Sequence, residues 1–186
     1  LITEESIPPS SNHAIPATPK IDRVDVGSVP EEFLDNQWVN WRYEWRRNNN
    51  RGEWTLTKVP CTPEDTFASH SDPATWRSWE QVVDHALANP GALGVGRVLS
   101  ASDPYFMVDL DNSFDYETGH VKEWAREWVK FAQAFDLYIE ASPSKTGLKI
   151  IGKGALPGRG RKKNVADGKI ELYDRLRFTT ITGDVL

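Results

Sequence analysis

Cysteine is almost absent: Cys61 stands alone, so the chain forms no internal disulfide and no cysteine-rich zinc site. The simple inference is a reducing compartment. Histidine adds little. His13, His70, His85 and His120 show no metal-ligand spacing. No apolar run is long enough to span a bilayer and no secretory signal is visible, so no membrane partner is expected. A serine-histidine-aspartate arrangement, a glycine-rich phosphate loop between parallel strands and an internal repeat are all missing.

What is present suits one domain plus a tail. The 186 residues are 39% hydrophobic and 11% aromatic, enough to build a core, and the eight tryptophans serve mainly to fill it. The net charge is -5. Taken as a sum, that argues against a nucleic-acid partner, but the distribution reverses the reading. Glu4, Glu5, Asp22, Asp25, Glu31, Glu32 and Asp35 face only Lys20 and Arg23 in residues 1–40, which accounts for the whole imbalance. Between Ser142 and Ala166 every charged residue is basic.

Residues 1–28, rich in Pro, Ser and Thr, read as a disordered or loosely held leader, with one catalytic-size domain over 29–186. A short helix is expected around Val29–Leu34. Alternation predicts strands at Trp38–Trp45 and Trp54–Val59, joined by a turn at Asn48–Gly52, with Pro60 ending the second. A helix follows, capped by Asp72 or Ser78 and carrying Trp76, Trp79, Val82, Val83, Ala86 and Leu87. Strands are expected at Ala92–Leu99 and Tyr105–Leu110, paired across Ser100–Pro104. The spacing of Val121, Trp124, Trp128, Phe131 and Phe135 predicts a second helix. Tyr138–Ala141, Leu148–Gly152, Lys169–Tyr173 and Arg177–Thr182 complete the strands. The mixture is α+β with a largely antiparallel sheet. The chain opens on Leu1 and stops at Leu186, after an expected strand, so further domains are expected beyond it.

Asp109-Leu110-Asp111 ends the apolar strand beginning at Tyr105. Positions i and i+2 of a strand share a face, which sets two carboxylates about 6–7 Å apart. Such a pair can bracket hard cations, although two acids capping a loop would look the same. Glu171, between Ile170 and Leu172, faces away from its apolar neighbours. If that face is the one bearing Asp109 and Asp111, three carboxylates converge and need cations between them. The turn from Ser142 to Gly147 offers Ser142, Ser144, Thr146 and backbone amides to a phosphate, with Lys145 and Lys149 as cations; a plain hairpin loop has the same composition. Arg159, Arg161, Lys162 and Lys163 form a basic stretch, read as mobile, that suits a template backbone or a triphosphate, or is a solvated loop. Arg177 can clamp phosphate or make an ordinary ion pair, and Lys58 is a weaker candidate for the same work.

Taken in order, Trp38-Val39-Asn40-Trp41-Arg42, Lys58-Val59-Pro60, Asp72-Pro73-Ala74-Thr75-Trp76, Gly94-Val95-Gly96, Val108-Asp109-Leu110-Asp111, Ile139 to Lys149 and Ile170 to Gly183 resemble the primase-polymerase family of phage and plasmid replication proteins, within the archaeo-eukaryotic primases. The resemblance implies a catalytic core related to the RNA-recognition fold, an antiparallel sheet with helices, plus a smaller α/β lobe. It implies Asp109, Asp111 and Glu171 as metal-binding acids for two Mg²⁺ or Mn²⁺ ions, and a phosphate-contacting Gly147-Leu148-Lys149. The family usually carries His where this chain has Lys149, which still supplies positive charge but not imidazole geometry. The expected activity is template-directed nucleotidyl transfer from nucleoside triphosphates on single-stranded DNA. A helicase domain or partner is expected C-terminally, and the setting is the bacterial host cytoplasm. Two other readings use the same residues: a non-catalytic nucleic-acid-binding primase module, and an Asp-x-Asp nucleotide-sugar glycosyltransferase.

Overall fold

The computed structural model describes residues 16–47 and 53–186. Its strands are β1 (Trp38–Arg47), β2 (Trp54–Cys61), β3 (Gly94–Leu99), β4 (Tyr105–Asp111), β5 (Phe114–Asp115), β6 (His120–Val121), β7 (Tyr138–Ala141), β8 (Leu148–Lys153), β9 (Arg161–Val165), β10 (Gly168–Tyr173) and β11 (Arg177–Ile181). Two helices, α1 (Trp79–Ala88) and α2 (Arg126–Ala134), and four short 3-10 turns accompany them. The strands form a four-stranded sheet in the order β11-β3-β1-β2, a five-stranded sheet in the order β7-β8-β4-β10-β9, and the small pair β5-β6. All the strand pairings are antiparallel. The molecule is α+β, as the alternating patterns imply. Among the described residues no helix is long and apolar enough to cross a membrane.

Alternation sorts the five-stranded sheet into two faces. Val108, Leu110, Leu148, Ile150, Ile139 and Ala141 are buried on one, in a cluster with Ala125 and Ala132 of the α2 region. Burying a leucine such as Leu110 or Leu148 contributes about 1.5–3 kcal/mol. Met107, Tyr105, Ile151 and Tyr173 lie on the other face. They pack with Trp38, Val95, Leu99 and Ile181 of the four-stranded sheet and with Trp79, Val82, Val83 and Ala86 of α1. The polar ends of that second face remain for chemistry.

Several expectations change. Tyr105–Leu110 does not pair with the preceding strand: both edges of β3 are taken by β1 and β11, and both edges of β4 by β8 and β10. Ser100–Pro104 instead carries the chain from one sheet to the other. Buried Arg97 holds the crossing, ion-paired to Asp103 and Asp35 and stacked 4.9 Å from the Tyr105 ring. Pro60 does not end β2, which runs on to Cys61. An edge strand tolerates proline because one side of its backbone needs no ladder donor. The two capping candidates are both used: Asp72 caps the 3-10 turn Pro73–Thr75, and Ser78 caps α1 through a reciprocal capping box with Gln81. Trp76 therefore precedes the helix.

The basic stretch is partly a strand, β9, hydrogen-bonded to β10. The second helix is shorter than its apolar spacing implies. Val121 belongs to β6, Trp124 to a 3-10 turn, and Phe131 and Phe135 are 39% and 66% exposed. Small Ala125 and Ala132 let the helix approach the sheet closely, which sends the rings to its flank. The expected helix at Val29–Leu34 is the 3-10 turn Glu31–Phe33. From Ile21 onward the leader packs on the domain: Ile21 and Val24 are buried, and Ile21 bridges Gly91. Residues 1–15 and the turn at 48–52 lie outside the described residues.

Candidate active site

A single row of side chains crosses all five strands of the larger sheet. Glu140 of β7 pairs with Lys149 of β8, Lys149 with Asp109 of β4, Asp109 with Glu171 of β10, and Glu171 with Lys162 of β9. Directly opposite residues project on the same face, so acids and bases meet side by side. Asp111 lies two residues beyond Asp109 and is paired with Lys169. The three acids singled out in the sequence therefore share the face turned away from α2.

Each acid touches an ammonium. Lys169 Nζ lies 2.8 Å from Asp111 Oδ2 and 2.7 Å from Glu171 Oε1. Lys162 Nζ is 3.4 Å from Glu171 Oε1, and Lys149 Nζ is 3.7 Å from Asp109 Oδ2. Tyr173 donates its hydroxyl to Glu171 Oε2 at 2.7 Å, and Arg177 donates to the Tyr173 oxygen at 3.3 Å while lying over its ring. Burial pushes the Glu171 carboxyl up, but the bonds from Lys169 and Tyr173 and the charges of Lys169 and Lys162 outweigh it, holding it below the usual carboxylate value. Partial burial pulls the Lys169 ammonium down, and its bonds to Asp111 and Glu171 more than reverse this, raising its pKa.

Glu140 closes the other end of the row. It is fully buried, and burial pushes its carboxyl up despite bonds from Tyr138, Thr182 and Gly183 and the nearby charge of Lys149. Its Oε2 accepts from the Tyr138 hydroxyl at 2.6 Å and from the Thr182 and Gly183 amides at 2.9 Å each. Glu140 therefore anchors the end of β11 to β7.

The turn after β7 lies against the carboxylate end of β4. A Cβ at position 147 would stand 2.7 Å from the Leu110 carbonyl oxygen, so glycine is required for this approach. Ser142, Ser144 and Thr146 form a string of hydroxyl contacts at 3.0 and 2.9 Å, and the Gly147 amide donates to Ser142 Oγ at 3.2 Å. Ser142, Ser144, Gly147 and Lys149 are thus gathered near the acids. Lys145 is not: it pairs with Asp22 at 2.8 Å and lies over the Tyr116 ring. Lys58 stands on β2 in the other sheet, its ammonium 6.0 Å from the Trp41 ring centroid. In β9, Lys162 shares the acid-bearing face, whereas Arg161 and Lys163 pair with Leu172 and Ile170 and take the opposite one. Arg159 is exposed in the loop before β9.

Lys169, Tyr173 and Glu140 were missed by sequence reasoning. Lys169 and Tyr173 lie two residues either side of Glu171, so alternation alone puts them on its face. Glu140, an acid inside an apolar strand, carried a signal of its own.

Among the described residues no three carboxylate, imidazole or thiolate groups are clustered to hold a metal ion as they stand. The donor chemistry nevertheless fits a hard divalent cation: three carboxylates on one face of two paired strands, already engaged with cationic nitrogens.

No family model matches the chain. A DNA primase-polymerase of Nitratiruptor phage NrS-1 is 37% identical over 153 residues, which cover 80% of this chain and 19% of the phage protein. The chain thus spans about a fifth of that relative's length. Over this segment the chain is related to the DNA primase-polymerases, as the ordered motifs imply.

Proposed function

We propose that this chain is the nucleotidyl-transferring domain of a DNA primase-polymerase, extending a primer or starting one from nucleoside triphosphates on a single-stranded DNA template. The observation that carries the reading is the direct cross-strand pairing of Glu171 with Asp109, with Asp111 on the same face, in a chain 37% identical to a DNA primase-polymerase. The five-stranded sheet with α2 is the primase-like, RNA-recognition-type core, and the four-stranded sheet with α1 is the second lobe.

Asp109, Asp111 and Glu171 would hold Mg²⁺ or Mn²⁺. When bound, two such ions supply activation of the attacking 3′-hydroxyl and neutralisation of the triphosphate. Lys149, almost fully buried beside Asp109, presents a fixed positive charge to a phosphate and pays little reorganisation there. The hydroxyls and amides of Ser142–Gly147 orient the triphosphate. Arg177 holds the Tyr173 hydroxyl toward Glu171 and so fixes that carboxylate's rotamer. Lys162, on the acid-bearing face, and the exposed Arg159 suit the template backbone, while Arg161 and Lys163, on the opposite face of the same edge strand, add to the positive field there. A helicase domain or partner, and the cytoplasm of a bacterial host, follow from the same reading.

The test is incubation of the chain with single-stranded DNA, Mn²⁺ and ribo- or deoxyribonucleoside triphosphates, with sizing of the products. Template-dependent products that vanish in Asp109→Ala/Asp111→Ala support the reading; full synthesis by that double variant rejects it. One observation favours a second reading, a non-catalytic nucleic-acid-binding module: every acid of the site already has an ammonium partner. That module would bind DNA and make no product with any nucleotide set.

A further inference from the structure

We propose that Lys169 is a tethered counter-ion that competes with the divalent cation for the Asp111–Glu171 site. The proposal rests on the primase-polymerase reading of those acids. Lys169 is paired with Asp111 across the strands and precedes Glu171 by two positions, so the backbone delivers its ammonium between the two carboxylates. The contacts are 2.8 and 2.7 Å, both within hydrogen-bonding reach.

Three features of Lys169 and its surroundings support this role. It alone bridges two of the proposed ligands, whereas Lys162 and Lys149 each touch one. It is 38% exposed at the side chain, so its flexible stem has solvent to swing into, unlike Lys149 at 6%. Glu171 also keeps its Tyr173 bond independently of Lys169, and that bond holds the carboxylate in place when the ammonium leaves. Carboxylates brought this close repel one another without a cation between them. An ammonium supplies that cation while the site awaits metal, and a dication entering beside it meets like charge.

The consequence is a competition. Metal binds to the fraction of molecules in which Lys169 has swung out, so an ammonium engaged nine-tenths of the time weakens the apparent affinity about tenfold. The device keeps the acid-bearing face folded without metal and sets a threshold metal concentration for activity.

The experiment is a titration of Mn²⁺ into the whole chain, followed by the paramagnetic resonance signal of the free ion, for wild type, Lys169→Met, Lys169→Gln and Lys169→Arg. Thermal unfolding is recorded with and without Mn²⁺. Roughly tenfold tighter Mn²⁺ binding is expected for the Met and Gln variants, and wild-type-like binding for Arg. The neutral variants should melt lower than wild type without metal and together with it at saturating Mn²⁺; a merely structural lysine would leave the same deficit in both. Unchanged or weaker Mn²⁺ binding in both neutral variants, with wild type binding normally, overturns the role of Lys169 and leaves the primase-polymerase reading standing. Failure of every protein, wild type included, to bind millimolar Mn²⁺ overturns the metal reading of the acids and this proposal with it.

Discussion

Replacing Arg97 by methionine is expected to remove the pin that delivers β4, and with it Asp109 and Asp111, from one sheet to the other. The Arg97 side chain is 1% exposed and the Asp103 side chain 0%, so solvent does not screen their pair. Methionine fills most of the volume but leaves the Asp103 carboxylate buried, holding only the Tyr105 amide at 3.1 Å and the Gln37 side chain at 3.3 Å. Removing one partner of a buried ion pair costs about 3–5 kcal/mol. In a chain of this size each kcal/mol lowers the melting temperature by about 2–4 °C, so a fall of roughly 6–20 °C is expected by calorimetry at neutral pH.

The pH dependence checks the cause. Burial already raises the Asp103 carboxyl above its ordinary value despite Arg97, and losing the arginine raises it further. A carboxyl raised in the folded state contributes its full stability below its unfolded pKa and loses it as pH rises through the folded one. The Arg97→Met deficit should therefore be smallest in acid and grow toward neutrality. Adding Asp103→Asn should recover part of it, because the uncompensated charge is gone. A deficit under about 1 kcal/mol at pH 7, or one independent of pH, would refute the assignment.

Other expectations concern the site. Glu171→Gln should lower primer synthesis by at least about 10²-fold while DNA binding, read by fluorescence anisotropy, stays near wild type. Because the folded-state pKa of Glu171 lies below its ordinary value, its stabilising contribution is present above the unfolded pKa and is lost as pH falls through the folded one. The stability difference between wild type and Glu171→Gln should accordingly close in acid titrations followed by circular dichroism. Lys149→Met should raise the KM for nucleoside triphosphate more than Lys149→Arg does, measured by steady-state extension. Gly147→Ala forces a Cβ to within 2.7 Å of the Leu110 oxygen and should cost about 1–3 kcal/mol in urea unfolding.

Local patterns made much of this architecture legible. They located eight of the eleven described strands, missing β5, β6 and β9, and the i, i+2 rule set Asp109 beside Asp111. The flanking Ile170 and Leu172 correctly turned Glu171 away from the α2 side. Pairing was less legible, because partners distant in sequence leave no local mark: β3 and β4 are consecutive yet belong to different sheets. Strand β9 escaped because Arg161, Lys162 and Lys163 at an edge bury nothing, so hydrophobic periodicity has nothing to report. Ile21 and Val24 were hidden by the Pro- and Ser-rich composition around them, although each fills a buried position. Lys169 was legible in position but not in partner, since only the register with Asp111 reveals what it bridges.

The alignment of β10 against β4 gives the acid-bearing face an all-or-none character. The same pairing that packs Ile170 and Leu172, each partly buried, against the apolar cluster containing Val108, Leu110 and Ala132 presents Glu171 to Asp109. Sliding β10 by one residue would exchange the two sets, exposing isoleucine and leucine to water and driving a carboxylate into the apolar layer. Packing forces alone thus proofread the chemistry: a chain with β10 misaligned loses its fold before it can present a misplaced acid. A one-residue deletion inside β10 is expected to disrupt both functions of the strand together.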